Sequence, residues 1–95
     1  MTVSNLVKLI KSVAKEREYS VSGSDASFEV FIDRHNAVAF QIKENSSGYL
    51  QVHQWEGEAS DSGKYGRCVY SLRDYSDTVH FCNIMMASAT VRARR

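Results

Sequence analysis

The sequence contains no proline, only two cysteines and no long uninterrupted apolar run. Two cysteines, Cys68 and Cys82, are too few for the disulfide framework of a small secreted domain, so we expect free thiols. The apolar stretch near the start is interrupted by Lys8 and Lys11, which argues against a secretory signal and a membrane-spanning helix. These absences predict a cytoplasmic protein that does not contact a membrane.

The size and composition are typical of one globular domain covering residues 1–95. Hydrophobic residues make up 43% of the chain and charged residues 24%, which is ordinary globular usage. The net charge is +1, but residues 21–66 contain seven acidic and three basic side chains, whereas both ends are basic. This asymmetry predicts two faces of opposite charge.

The first segment has the spacing of an amphipathic helix. Its apolar residues recur three and four positions apart, at Leu6, Leu9, Ile10, Val13 and Ala14. This spacing predicts a helix that packs one side on a core and exposes its lysines on the other. Residues 20–27 (SVSGSDAS) follow, and their composition predicts a turn.

The middle of the chain alternates apolar and polar residues, which predicts strands. The apolar positions of the first two strands and the third share one sheet face: Phe28, Val30, Ile32, Val38, Phe40, Ile42, Leu50 and Val52. The third strand covers residues 49–55, and residues 67–70 form a short fourth. The polar loop between them, residues 56–66, is longer than a hairpin needs and is a candidate functional segment.

The last segment is predicted to be a helix, because Ser71 and Asp74 resemble a capping box and a long apolar pattern follows. Its predicted core side consists of Leu72, Tyr75, Val79, Cys82, Met86 and Ala89. The sequence therefore predicts a two-layer α+β fold, in which a helix at each end flanks a four-stranded antiparallel β-meander (α-β-β-β-β-α).

No pattern in the sequence specifies catalysis, a metal or a cofactor. His53, Cys68, His80 and Cys82 are the residue types that bind zinc, but His80 and Cys82 lie about 200° apart on a helix. The glycine spacing in residues 56–66 does not fit a phosphate-binding loop. We therefore expect a protein that is not an enzyme and has no metal or cofactor.

The last helix carries a second apolar stripe, at Phe81, Ile84, Ser88 and Val91. At about 100° per residue this stripe lies on the far side from the predicted core residues. A surface helix on a small sheet has only one side to bury, so either the first helix or a second molecule covers this stripe. We favour a homodimer formed through the last helix.

The predicted outer face of the sheet carries Tyr49, His53 and Trp55 together with Phe31. A small domain that has aromatic and apolar surfaces but no chemistry is typical of an adaptor, or of an inhibitor that occludes its partner. We expect a protein target whose identity the sequence does not encode.

Nucleic acid is the alternative partner, because both helices carry basic side chains: Lys8, Lys11, Lys15, Arg92, Arg94 and Arg95. The order helix, strands, helix resembles the double-stranded-RNA-binding domain in topology alone. That family contacts phosphates through lysines at the start of its last helix. The corresponding place here holds Arg73, Asp74 and Asp77, whose carboxylates would repel phosphates.

Overall fold

The computed structural model describes residues 3–33, 38–55 and 65–93, with the backbone alone for residue 33 and residues 89–93. In chain order the elements are α1 (Val3–Glu16), β1 (Ser20–Gly23), β2 (Ser27–Asp33), β3 (Val38–Glu44), β4 (Leu50–Trp55), β5 (Tyr65–Leu72) and α2 (Tyr75–Ala93). The strands form one antiparallel sheet in the order β1-β2-β3-β4-β5. The predicted two-layer α+β fold is confirmed, with five strands instead of four.

The additional strand, β1, lies in the segment whose composition predicted a turn. All four of its residues are exposed, and it pairs with β2 from Ser20↔Phe31 to Gly23↔Phe28. The actual turn is shorter: the Ser24 N–H donates to the Ser27 carbonyl at 3.0 Å, and the Ser27 N–H donates back at 3.3 Å. An exposed edge strand needs no apolar side chains, so its serines gave no alternation to detect.

Both helices pack on one face of the sheet and build a single core. Its buried members are Leu6, Val7, Ile10, Ala14, Phe28, Val30, Phe40, Ile42, Leu50, Val52, Leu72, Phe81, Cys82 and Met85. Of the sheet positions predicted to face inward, all are buried except Ile32, which is half-buried and packs against this core. Residues Leu9 and Val13 of α1 are also half-buried against it.

Helix α2 begins at an aspartate cap, three residues later than the predicted Ser71. The Asp77 N–H donates to Asp74 Oδ1 at 2.9 Å, and the Arg73 N–H donates to Asp77 Oδ2 at 3.1 Å. The Thr78 hydroxyl donates to the Asp74 carbonyl at 2.8 Å, which allows this polar side chain to be fully buried. These bonds satisfy backbone donors that a helix start leaves unpaired.

The buried side of α2 differs from the predicted one. Phe81, expected on the outer stripe, is 1% exposed, and its ring meets Phe40 edge-to-face at 5.2 Å. Tyr75 and Val79, expected in the core, are 43% and 48% exposed. The prediction was wrong for these three residues because α2 carries apolar residues on more than one side, so spacing alone allowed two orientations. The sheet selects the one in which Phe81 fills the space beside Phe40.

The remaining flank of α2 meets α1, where Met86 shares a groove with Val13, Glu16 and Arg17. Met86 is half-buried there and Cys82 is buried, as their predicted core positions require. Among the residues that the structure describes, no helix is long and apolar enough to cross a membrane.

Candidate protein-binding surface

The face of the sheet opposite the helices is organised in cross-strand rows. In the first row, Phe31 pairs with Ala39, and Trp55 pairs with Tyr65. In the second row Glu29, Gln41, His53 and Cys68 are successive partners across four strands. The third row consists of Ser27, Lys43, Gln51 and Ser71. We call this surface the outer face.

Three half-buried aromatic side chains, Phe31, Trp55 and Tyr65, form what we call the aromatic row. The rings of Trp55 and Tyr65 meet edge-to-face, with centroids 5.1 Å apart and an interplanar angle of 85°. Ala39, on the same face between the strands of Phe31 and Trp55, is only 6% exposed. The row is therefore a packed apolar cluster on the side of the sheet opposite α1 and α2.

A hydrogen bond fixes the position of Tyr65 within the aromatic row. Its hydroxyl donates to Glu29 Oε2 at 3.1 Å, although β2 and β5 are separated by two strands. The Tyr65 side chain therefore extends across the outer face, and the Glu29 carboxylate lies next to its hydroxyl group. Such a bond to an ionised acceptor restricts the ring to one position.

His53 lies in the second row with a defined tautomer. Its Nδ1 is 2.9 Å from the Gly66 carbonyl oxygen, which can only accept, so Nδ1 carries the proton. In the neutral ring Nε2 is then left as an acceptor. The neighbouring Cys68 thiol donates to the Tyr70 carbonyl at 3.1 Å. Among the described residues, no group of three or more His, Cys, Asp or Glu side chains could hold a metal ion.

Irregular pairing on β5 explains why Tyr65 was missed from the sequence. The register shifts between Val52 and His53 and again between His53 and Trp55. These shifts interrupt the alternation that predicts strands, so only residues 67–70 were recognised. The sequence did contain one indication of this strand. Trp55 and Tyr65 lie at the two ends of one polar loop, and a hairpin across that loop would pair them. Within that predicted functional loop, residues 56–64 lie outside the described residues.

Tyr49 lies just before β4, at the end of the outer face away from the aromatic row. The Arg73 guanidinium stacks over its ring, 4.2 Å from the centroid. The Asn45 side chain holds the turn that leads into it, since Asn45 Oδ1 accepts from the N–H groups of Ser47 at 2.9 Å and Tyr49 at 3.3 Å. Tyr49 is half-buried, and one face of its ring is occupied.

The predicted stripe on the last helix is divided by the structure. Phe81 belongs to the core, whereas Ile84 is half-buried and Ser88 is half-buried. The side chain of Val91 lies outside the described residues. The predicted homodimer contact through Phe81 is therefore wrong, because that ring is already covered by Phe40 and by Tyr70, 5.9 Å away.

The basic residues of the alternative nucleic-acid surface are only partly available for phosphates. Lys11 forms an ion pair with Asp25 and lies 4.9 Å from the centroid of the Phe28 ring. The hydrogen bond from Lys11 and its charge lower the pKa of the Asp25 carboxyl. Lys8 and Lys15 are exposed on α1. The side chains of Arg92, Arg94 and Arg95 lie outside the described residues.

The outer face thus brings together two of the predicted contacts, His53 and Trp55, adds Tyr65, and keeps Tyr49 at its far end. Lys8 and Lys15, the exposed lysines of the predicted nucleic-acid surface, are on the opposite layer. Comparison of the chain with protein-family models, with curated proteins and with solved structures finds no match.

Proposed function

We propose that this protein is a non-enzymatic protein-binding module, acting as an adaptor or an inhibitor, whose outer face occludes part of a partner protein. The observation that carries the proposal is the aromatic row. Phe31, Trp55 and Tyr65 lie on the face of the sheet opposite α1 and α2. Aromatic side chains are enriched at the centres of protein interfaces, because they bury a large apolar area and keep a polar group at the edge.

The local contacts favour binding by holding the aromatic row in place before a partner arrives. Tyr65 is held by Glu29 and by the Trp55 ring, so little side-chain freedom remains to be lost. Pre-organisation of this kind lowers the entropy cost of association. Gln41, half-buried in the second row, provides a polar group beside the aromatic row that can pair with a partner's backbone.

A protein partner fits the outer face better than single-stranded nucleic acid does. Stacked bases need open ring faces and nearby positive charge. One face of Tyr49 is occupied by Arg73, and Trp55 packs against Tyr65. The Glu29 carboxylate lies beside the aromatic row and would repel a phosphate.

A cytoplasmic location is part of the proposal. It is supported by the two thiols, since Cys68 and Cys82 are both free. Cytosolic conditions keep thiols reduced.

The test is affinity capture from the native host with a set of matched baits. Gln41→Arg introduces a charge on the outer face, beside the aromatic row, without removing a core side chain. Ser12→Arg makes the same change at an exposed position of α1 and serves as the control. We expect wild type and Ser12→Arg to retain the same protein, and Gln41→Arg and Trp55→Ala to lose it, as measured by quantitative mass spectrometry.

Two other outcomes would contradict the proposal. Equal capture by all four baits would show that the outer face is not the binding surface. Capture that disappears with nuclease treatment and with the Lys8→Glu, Lys15→Glu double variant would favour nucleic acid bound by α1. Circular dichroism and urea melts of each bait verify that a lost partner does not reflect an unfolded bait.

A further inference from the structure

The side of α2 that is turned away from the core carries no acidic or basic side chain among the described residues. Apart from residues 90 and 91, whose side chains lie outside the described residues, six positions of α2 lie within an arc of about 140° that is centred opposite the buried Thr78, Phe81, Cys82 and Met85, at about 100° per residue. These positions are Ser76, Val79, His80, Asn83, Ile84 and Ala87. Five of them are exposed and Ile84 is half-buried. We call them the outer side of α2.

None of these six residues is Asp, Glu, Lys or Arg, and no such residue occurs between positions 78 and 91. A helix that faces only water normally carries charges there, as α1 does with its exposed Lys8, Lys15 and Glu16. Val79 lies at the edge of the uncharged outer side, and 48% of its surface is exposed to solvent. Helix α1 packs against the flank that contains Met86, so it does not account for the opposite flank at Ile84.

We propose that a second copy of the protein covers the outer side of α2, with the two α2 helices antiparallel across a two-fold axis. The six positions are symmetric about the point midway between residues 81 and 82. Antiparallel pairing about that point places Ser76 opposite Ala87 of the other copy, Val79 opposite Ile84, and His80 opposite Asn83. Small residues then meet small ones, apolar residues meet apolar ones, and polar residues meet polar ones. A two-fold interface requires this self-complementarity.

The absence of charge favours a second copy over a charged partner. Charges that become buried against an uncharged surface lose their hydration and gain no opposite charge in return. The other described surfaces carry such charges, with Lys8 and Lys15 on α1 and Glu29 and Lys43 on the sheet. Six residues from each copy are fewer than the roughly 20–30 of a standard interface. We therefore expect a weak dimer that dissociates on dilution.

The first test measures mass against concentration by sedimentation equilibrium, from low to high micromolar protein. We expect the wild-type mass to rise toward twice the monomer mass. Ala87→Glu should remain at the monomer mass, with an unchanged circular-dichroism spectrum because Ala87 is exposed. Ser12→Glu adds the same charge on α1 and should associate as the wild type does. A monomeric wild type at high micromolar concentration, or an Ala87→Glu variant that associates equally well, would overturn the proposal.

The second test measures the alignment of the helices by cross-linking, in a Cys68→Ser background. Positions 76 and 87 lie about 16 Å apart on one helix, too far for a disulfide within the chain. We expect a mixture of the Ser76→Cys and Ala87→Cys single variants to form a covalent heterodimer on mild oxidation. Neither variant should form a covalent dimer alone. Covalent dimers of either single variant would instead show that the helices are parallel and would overturn the antiparallel arrangement.

Discussion

Replacing Phe81 by alanine removes the side chain that anchors α2 to the sheet. Phe81 is 1% exposed, and the centroid of its ring lies 5.2 Å from that of Phe40 and 5.9 Å from that of Tyr70. Truncation loses the transfer free energy of the ring and leaves a cavity between a helix and a sheet, which typically costs about 3–5 kcal/mol. The total free energy of unfolding of a small domain is only about 5–15 kcal/mol. Phe81→Ala should therefore lower the free energy of unfolding by about a fifth or more.

The comparison that decides the orientation of α2 is Val79→Ala. Val79 is 48% exposed, so it has little burial to lose, and alanine has the higher helix propensity by about 0.5 kcal/mol. Its free energy of unfolding should change by less than about 1 kcal/mol. Urea titration followed by circular dichroism measures both variants, and each needs an unchanged slope for a two-state comparison. If Val79→Ala cost more than Phe81→Ala, α2 would be rotated to the orientation with Val79 inside, and the orientation described here would be wrong.

Three further predictions follow from local geometry. Gly23→Ala should destabilise by more than about 1 kcal/mol in urea melts, because φ is +115° and a Cβ would lie 2.5 Å from a backbone oxygen; Gly48→Ala, with φ +84° and no atom within 4 Å, should cost less. Asp74→Ala should lower the free energy of unfolding by about 1 kcal/mol because it removes the cap of α2, and Asp74→Ser should recover most of that loss. Burial raises the pKa of the Cys82 thiol, so a maleimide should label Cys68 first and Cys82 only on unfolding, as followed by mass spectrometry.

The parts of the fold that could be predicted from the sequence are the elements in which one face is buried and the other is exposed to solvent. Alternation within β2 and β3 places Phe28, Val30, Phe40 and Ile42 in the core, so the pattern and the packing carry the same information. The serines of β1 are exposed on an edge strand, so burial did not require apolar residues at alternate positions in that segment. The sequence therefore predicted the centre of the sheet and missed its first strand.

The orientation of α2 could not be predicted from spacing, since apolar residues occur on more than one of its sides. Thr78 is polar, yet its hydroxyl donates to the Asp74 carbonyl and the residue is fully buried. Only the position of Phe40 on the sheet determines that Phe81 is the residue that fits beside it. Likewise, Trp55 was predicted on the outer face, but its partner Tyr65 depended on strand irregularities that no periodicity shows.

The two proposed surfaces lie on opposite layers of the molecule, so a dimer joined through α2 keeps both outer faces accessible. Such a dimer binds an immobilised partner at two points, and the second contact forms at a high effective concentration. We therefore expect wild type to dissociate at least about tenfold more slowly than Ala87→Glu from a densely coated surface.

At sparse coating only one outer face can bind at a time, and the two proteins should dissociate equally fast, because Ala87 lies on the helix layer. Ser12→Glu, the matched charge on α1, should behave as wild type at both densities. Surface plasmon resonance with the partner identified by capture measures these rates. Equal dissociation at both densities would mean that the dimer does not bind bivalently. A difference that persists at sparse coating would mean that Ala87→Glu weakens the outer face itself, and that the two surfaces are not independent.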